Sequence, residues 1–158
     1  MKIRIISILF ISFVFQCAIS RDLSSNTYRK NEIYPNIGII EGGELFVTLG
    51  VNYERHLLNT KIINFNWKLN YSYWAAWCAG GDYYSLSLNT YKSFTNHHIE
   101  FCSGYVFITD SFGKDKPENY NEPLFSLGYK YQKPKGRLIF KIYFATWSAI
   151  NLGIGIAI

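Results

Sequence analysis

Charged residues are scarce in this chain of 158 amino acids. Asp, Glu, Lys and Arg make up 17% of it, whereas soluble domains average about 25%. Cysteine occurs three times and methionine once. The sequence also lacks the repeats of collagen and of coiled coils, and its cysteine density is too low for a disulfide scaffold. These absences exclude the fibrous and disulfide-rich classes, and the length suits a single domain.

Aromatic residues are abundant. They make up 18% of the chain, led by 13 Tyr and 12 Phe. Hydrophobic residues reach 49%, which excludes a disordered chain. A sequence poor in charge and rich in Tyr, Phe, Ile and Gly is unlike a cytosolic enzyme or a helical bundle. It indicates a β protein whose outer surface need not face water.

Residues 1–20 have the three parts of a secretory signal peptide. Two basic residues stand near the start, Ile5–Phe15 is the apolar stretch, and Ala18 and Ser20 are the small residues of a cleavage site. The apolar stretch is shorter than the ~20 residues that a membrane-spanning helix needs. The sequence therefore predicts export and removal of residues 1–20.

Apolar and polar residues alternate along most of the remaining chain, with the period of two that a β-strand requires. Seven segments show the alternation clearly, and Ile33–Ile40 shows it more weakly. Their lengths are typical of transmembrane β-barrels, which use about 9–11 residues per strand. The seven clear segments are 45–54, 62–73, 83–91, 98–107, 125–132, 137–145 and 149–158.

The two faces of these segments differ in size and charge. One face is bulky and apolar, and the other consists of Gly, Ala, Ser and Asn with a few ionisable residues. A soluble sandwich or lipocalin buries its bulky face and exposes its charges. A small transmembrane barrel does the reverse, because its outside meets lipid and its narrow lumen has room only for small residues and paired charges. The predicted polar network of the lumen is Glu54, Lys68, His98, Glu100, Lys130, Arg137 and Lys141.

We therefore predict an all-β fold, a single eight-stranded antiparallel up-and-down transmembrane β-barrel. The signal peptide occupies residues 1–20, an N-terminal tail 21–32 and the barrel 33–158. Short turns are expected on the periplasmic side, and longer external loops at Trp74–Asp82 and Asp110–Glu122.

One stretch also fits a different structure. Leu138–Ile158 contains only one charged residue, Lys141, and is long enough for a transmembrane helix. Its two ends alternate strictly, however, and Thr146-Trp147-Ser148 forms a natural break between them. The alternation favours two strands over one helix.

Several short motifs are similar to those of a known group of proteins. The chain resembles the small eight-stranded outer-membrane β-barrel proteins common in Bacteroidota through Val51–Arg55, Asn96–Glu100, Leu127–Pro134 and Asn151–Ile158. The resemblance implies a location in the bacterial outer membrane, with lipid around the barrel. Most members have no assigned activity, so it implies fold and location more than function.

The last eight residues also fit a barrel-assembly signal. Asn151, Gly153, Ile156 and Ile158 occupy its polar, glycine and two apolar positions. Such chains usually end in an aromatic residue, whereas this one ends in Ile158. The pattern predicts the barrel-assembly machinery as a partner.

No catalytic, metal or cofactor site emerges from the sequence. His56, His97, His98 and Cys102 lack the ligand spacing of zinc sites. Gly153-x-Gly155 precedes no helix, so it is not a phosphate loop. The weak net charge, with no basic stripe interleaved with aromatics, argues against nucleic acid. Cys78 and Cys102 could pair in an exported protein or remain free thiols.

Three functions of different classes remain open. The first is a structural or surface-interaction barrel with a plugged lumen, acting through external loops, above all Asp110–Glu122. The second is a membrane-embedded lipid-modifying enzyme, which would need a Ser or a carboxylate brought close to His97, because Ser103 on the same strand is ~20 Å away. The third is a secreted lipocalin-like binder of a lipophile, with the bulky face inward.

Overall fold

The computed structural model of the chain describes residues 31–41, 45–59, 63–76, 80–110, 118–133, 135–146 and 148–158. The predicted signal peptide, most of the predicted tail and Cys78 lie outside these residues. Within them, no helix is long and apolar enough to cross a membrane.

Eight β-strands make up this structure. Their residues are rich in β-branched and aromatic side chains at every second position, which suits a strand that has a different environment on each face. The strands are β1 Asn31–Glu41, β2 Leu45–Asn59, β3 Asn64–Ala75, β4 Gly80–Phe94, β5 His97–Asp110, β6 Glu118–Gln132, β7 Leu138–Ala145 and β8 Ile150–Ala157.

The eight strands form one closed barrel in sequence order. Every strand is antiparallel to both neighbours, and the barrel closes where β1 pairs with β8 through Ile37 and Leu152 among others. This arrangement confirms the predicted up-and-down barrel. It also excludes the transmembrane helix at Leu138–Ile158, because that stretch forms β7 and β8.

The two ends of the barrel have different connections. The start of β1 at Asn31 and the residue after β8, Ile158, lie at one end, and their backbones hydrogen-bond to each other there. The same end holds the tight turn at Thr95–Asn96, where Thr95 has a φ of 58°. Short turns mark the periplasmic side of such barrels. We call this the periplasmic end and the opposite one the external end.

Three predicted boundaries differ from the structure. β1 begins at Asn31, two residues before the predicted barrel start at 33. The predicted loop Trp74–Asp82 is mostly strand, because β3 continues to Ala75 and β4 begins at Gly80. The predicted loop Asp110–Glu122 is also shorter, because Glu118–Glu122 pair with β5 as strand. A polar segment that contains proline resembles a loop in sequence, but pairing with the neighbouring strand β5 can hold it extended.

The bulky face of the strands points outward. Leu49, Leu127 and Ile154 are each about three-fifths exposed, whereas Glu54 and Lys141 are buried in the interior, with 0% and 1% exposed. This is the reverse of a soluble β-barrel. It excludes the lipocalin-like alternative, which needs the bulky face inward.

Part of the interior near the external end is apolar. Trp74, Tyr83, Val106 and Ile108 form a buried cluster, with Phe46 packed against it. The rings of Phe46 and Trp74 meet edge to face with centroids 5.6 Å apart. The predicted polar lumen therefore holds for the middle of the barrel, and bulky apolar side chains fill part of its external end.

Candidate functional site

Lys141 lies at the centre of the polar interior. Its Nζ is 2.8 Å from Oε1 of Glu54, 3.2 Å from Glu100 and 3.5 Å from Oε2 of Glu32. Alternation along β7 turns it inward between the outward-facing Phe140 and Ile142. One ammonium group thus faces three carboxylates from three other strands.

Lys130 provides the second cation of this cluster. Its Nζ lies 2.7 Å from Oε1 of Glu32 and 3.8 Å from Oε1 of Glu100. It also lies 4.6 Å from the ring centroid of Tyr91. Lys130 is 1% exposed, so water screens these pairs little. Buried charges persist only when they are paired in this way.

Lys68 is the third buried lysine and differs from the other two. It stands opposite Glu54 in the register of β2 and β3. Its Nζ nevertheless forms no ion pair within the part of the chain that the structure describes. It lies over two aromatic rings, 4.3 Å from the centroid of Tyr143 and 5.6 Å from that of Tyr34. Lys68 is therefore held mainly by cation–π contacts.

Both carboxylate oxygens of Glu54 accept hydrogen bonds. The Tyr34 hydroxyl donates to Oε1 at 2.5 Å, in addition to Lys141. Side-chain amides of Asn66 and Asn89 donate to Oε2 at 3.3 and 3.2 Å. These contacts come from β1, β3, β4 and β7, so a single carboxylate on β2 links its strand to four others.

An amide ladder continues from this cluster toward the external end. Asn70 donates to Asn52 at 3.0 Å, and Asn52 donates to Asn36 at 2.6 Å. The Ser72 hydroxyl donates to Asn70 at 3.0 Å. The ladder crosses β1, β2 and β3 and gives the buried amides the partners that they need.

The other two residues of the predicted network have different positions. His98 is buried, with Nδ1 2.9 Å from the Ser93 hydroxyl and its ring edge-on to Tyr91. Arg137 differs from the prediction. It is exposed, because it precedes β7 and lies beyond the periplasmic end of the lumen, where its carbonyl accepts a hydrogen bond from the Ala157 amide.

Sequence reasoning missed two members of the cluster, Glu32 and Tyr34. The weak alternation of the first strand led to a predicted start at Ile33. The signal was nevertheless present, because Glu32 and Tyr34 share the polar phase with Asn36 and Gly38. Extending the strand by one residue at its start would have placed Glu32 in the lumen.

A small cavity remains beside this network. It has a volume of about 30 Å³ and is lined by Lys68, Ser85, Ser126 and Tyr143, among others. Such a volume holds about one or two water molecules. Cys102 also lines it as a buried free thiol.

His97, the residue on which a lipid-modifying activity would depend, lies outside the barrel near the periplasmic end. Its Nδ1 is 2.5 Å from the Tyr129 hydroxyl, and its ring packs beside Tyr131. Its hydrogen-bond partner is thus a phenol rather than a serine or a carboxylate. In the described ranges, no three residues among His, Cys, Asp and Glu are grouped to hold a metal ion.

At the external end, β6 extends beyond its neighbour β7. β5 pairs with β6 up to Glu118, but β7 pairs with it only from Ser126 onward. The last described contacts on that side come from Thr146, whose amide donates to the Phe125 carbonyl at 2.9 Å and whose hydroxyl donates to the Pro123 carbonyl at 3.4 Å. We call Glu118–Pro123 the open edge of β6, because no described strand pairs with its outer side.

The residues of the predicted assembly signal lie in β8 and at its end. Asn151 and Gly153 are buried, and Gly153 lies against the Tyr34 ring. Ile156 and Ile158 are about half exposed on the outer face.

A closed barrel with an apolar outside and a buried charge cluster inside defines a class of protein. Its exposed hydrophobic surface suits lipid, and its closed sheet leaves no edge unpaired within the membrane. The protein is therefore a transmembrane β-barrel of the bacterial outer membrane, with eight strands.

Comparison with known proteins agrees with this class. No family model matches the chain, and no curated protein sequence matches it. Its fold is similar to the crystal structure of Ail, the attachment invasion locus protein of Yersinia pestis, at 12% identity and a TM-score of 0.57. A second structure of Ail, in complex with the heparin analogue sucrose octasulfate, matches at 11% identity and a TM-score of 0.52. Each match covers 83% of this chain and 99% of Ail, and at this identity the likeness concerns the fold.

Proposed function

We propose that this barrel has a surface-interaction role and acts through its external end, while its plugged lumen serves stability. The observation that carries the proposal is the open edge of β6. Six residues of this strand extend beyond β7. The Pro123 carbonyl accepts a hydrogen bond from the Thr146 hydroxyl, so the main-chain groups available to a partner are those of Asn119 and Asn121, which no described strand pairs.

The main-chain groups of this edge can be assigned from the alternation of the ladder. In antiparallel pairing, the amide and carbonyl of successive residues point to opposite sides. The Phe125 amide and carbonyl point toward Thr146, so those of Asn121 and Asn119 point the same way, where no described strand lies. Pro123 is in the same phase. Proline has no amide proton to donate, and it is tolerated here because no described neighbouring strand requires that donor.

An extended segment of a partner could add to this edge as a further strand. Two features restrict which segment fits. Pro123 removes one donor, and the acidic residues Glu118 and Glu122 oppose pairing with a second copy of the same edge.

The charge of the external end indicates a basic partner. Its strand ends and loops contain only two basic residues, Lys114 and Lys116. They contain seven acidic residues: Glu41, Glu44, Asp82, Asp110, Asp115, Glu118 and Glu122. A sulfated polyanion like the heparin analogue bound to Ail would meet net repulsion here. It is the second candidate ligand, supported by the shared fold.

Hydrogen exchange at the open edge tests the proposal. The probe is a blocked peptide of alternating Lys and Thr, added to the folded barrel in detergent. We expect it to slow exchange of the Asn119 and Asn121 amides. The variant Asn121→Pro should abolish protection of Asn119, because it deletes a main-chain donor. Its matched control Asn121→Ala should keep it, because only the side chain is lost.

Two outcomes would contradict the proposal that a basic partner adds to the open edge of β6. Equal protection by a Glu–Thr peptide would remove the role of charge. Protection by sucrose octasulfate, but by neither peptide, would instead favour polyanion binding at the external loops.

The plugged lumen leads to a separate prediction about ion conductance. Eight strands leave an interior that side chains just fill, and the ion-pair cluster occupies its middle. Barrels inserted in a planar lipid bilayer should show no conductance steps. Regular steps of one size in the wild-type protein would show that the lumen conducts.

The remaining assignments rest on sequence motifs. We propose that Asn151, Gly153, Ile156 and Ile158 are read by the barrel-assembly machinery, and that the chain comes from the Bacteroidota barrels that it resembles. For the enzyme alternative, loss of a lipid-modifying activity in a His97→Ala variant would be the supporting result.

A further inference from the structure

Five exposed basic residues lie at the periplasmic end. No Asp or Glu is exposed among the described residues at this end, because Glu32 is buried in the lumen. We call the five exposed residues the basic collar: Arg55, Lys92, Lys133, Lys135 and Arg137.

Three residues of the collar are in phase with the lipid-facing side chains. Arg55 follows Tyr53 and precedes Leu57 on the outer face of β2, and Leu57 is 53% exposed. Lys92 lies on the outer face of β4 two residues before Phe94, with its Nζ 5.4 Å from the centroid of that ring. Lys133 likewise continues the outward phase of β6.

These cations therefore lie at the level where the apolar surface ends. A lysine or arginine in that position extends its aliphatic stem along the apolar surface and places its charge at the headgroups. An aromatic ring beside the cation, as at Lys92 and Phe94, is typical of the membrane interface.

The described residues offer the collar no anionic partner. None of its five residues forms an ion pair with any described part of the chain, in contrast to Lys130 and Lys141 in the lumen. The side chains of the collar are exposed, and they lie on β2, on β4 and in the connection from β6 to β7.

We propose that the basic collar binds the phosphates of anionic phospholipid headgroups in the periplasmic leaflet. Basic residues next to a membrane span attract anionic lipids, and each contributes to the attraction at the surface. The outward phase of Arg55, Lys92 and Lys133 favours lipid over a soluble acidic protein, because these side chains lie beside the bilayer rather than below it. This inference rests on the membrane-spanning fold and is independent of the proposed surface interaction.

Lipid selectivity of the reconstituted protein tests the inference. The probes are spin-labelled phosphatidylglycerol and phosphatidylcholine in bilayers that contain the folded barrel. We expect the wild-type protein to concentrate the anionic lipid several-fold over the zwitterionic one. In about 0.5 M salt, where screening acts within a few ångströms, the preference should fall.

Two variants locate the effect. The triple variant Arg55→Gln, Lys92→Gln and Lys133→Gln should reduce the preference to nearly one. The control Lys114→Gln with Lys116→Gln removes two positive charges from the segment that connects β5 to β6, and it should keep the preference. An unchanged mobility shift between unboiled and boiled samples in SDS shows that each variant is folded.

The proposal is overturned if the folded triple variant keeps the wild-type preference, or if the control loses as much. It is also overturned if wild-type protein shows no preference for phosphatidylglycerol. In that last case an acidic soluble partner becomes the better occupant of the collar.

Discussion

Replacing Lys141 by methionine is expected to lower the free energy of unfolding by about 3–5 kcal/mol, the usual cost of removing one partner of a buried ion pair. Methionine retains the length and apolar stem of lysine, so packing changes little. The three carboxylates of Glu32, Glu54 and Glu100 would lose the ammonium group that they share. Urea unfolding of the barrel in lipid vesicles measures the loss.

Lys68→Met is the matched control for this prediction. It removes the same charge from the same lumen, but Lys68 contacts the rings of Tyr143 and Tyr34, and no carboxylate of the described residues lies within ion-pair distance of it. We expect a loss of about 1–2 kcal/mol, the scale of a desolvated cation–π contact. Equal losses in the two variants would mean that total lumen charge, rather than the cluster around Lys141, determines stability.

Replacing Gly155 by valine is expected to prevent closure of the barrel. A Cβ atom at Gly155 would lie 2.2 Å from the carbonyl oxygen of Ile33 and 2.3 Å from the Cβ of Tyr34. The first of these atoms belongs to the backbone of β1, so it cannot move aside without separating β1 from β8. The closed form, which migrates faster in SDS before boiling, should be absent.

Ile154→Val provides the control for this experiment. Ile154 is the neighbouring residue on β8 and is 59% exposed on the outer face, where lipid accommodates a smaller branched side chain. This variant should keep the full mobility shift. A normal shift in Gly155→Val would show that β1 and β8 can separate locally without opening the barrel.

The sequence predicted much of the fold because alternation is a local property. Val47, Leu49 and Val51 indicate a strand and its apolar face without reference to any distant residue. The same pattern placed Glu54, Lys68, His98, Glu100, Lys130 and Lys141 on the inner face, where the structure has them. The pattern predicted least well where strands extend past the membrane boundary, because the lipid that imposes alternation is absent there. The predictions for Glu32, Arg137 and Glu118–Glu122 failed for this reason.

Local pattern also cannot determine which charges meet. Lys141 and Glu54 are 87 positions apart in sequence, and they come together through the register and tilt of eight strands in a closed barrel. A shift of one residue in any pairing would turn the side chains of that strand to the other face. For the same reason, the sequence could not show that Lys68, which stands opposite Glu54 in the register, lies over the rings of Tyr143 and Tyr34.

The amino-acid sequence by itself determined that the chain alternates, that its bulky face is uncharged and that its strands have the length of a membrane span. These features follow from the geometry of a single strand in lipid. Only the tertiary structure decided how the lumen charges pair, where the apolar cluster lies and how far β6 extends beyond its pairing with β7. Each of these depends on the relative position of two or more strands, which is set when the barrel closes.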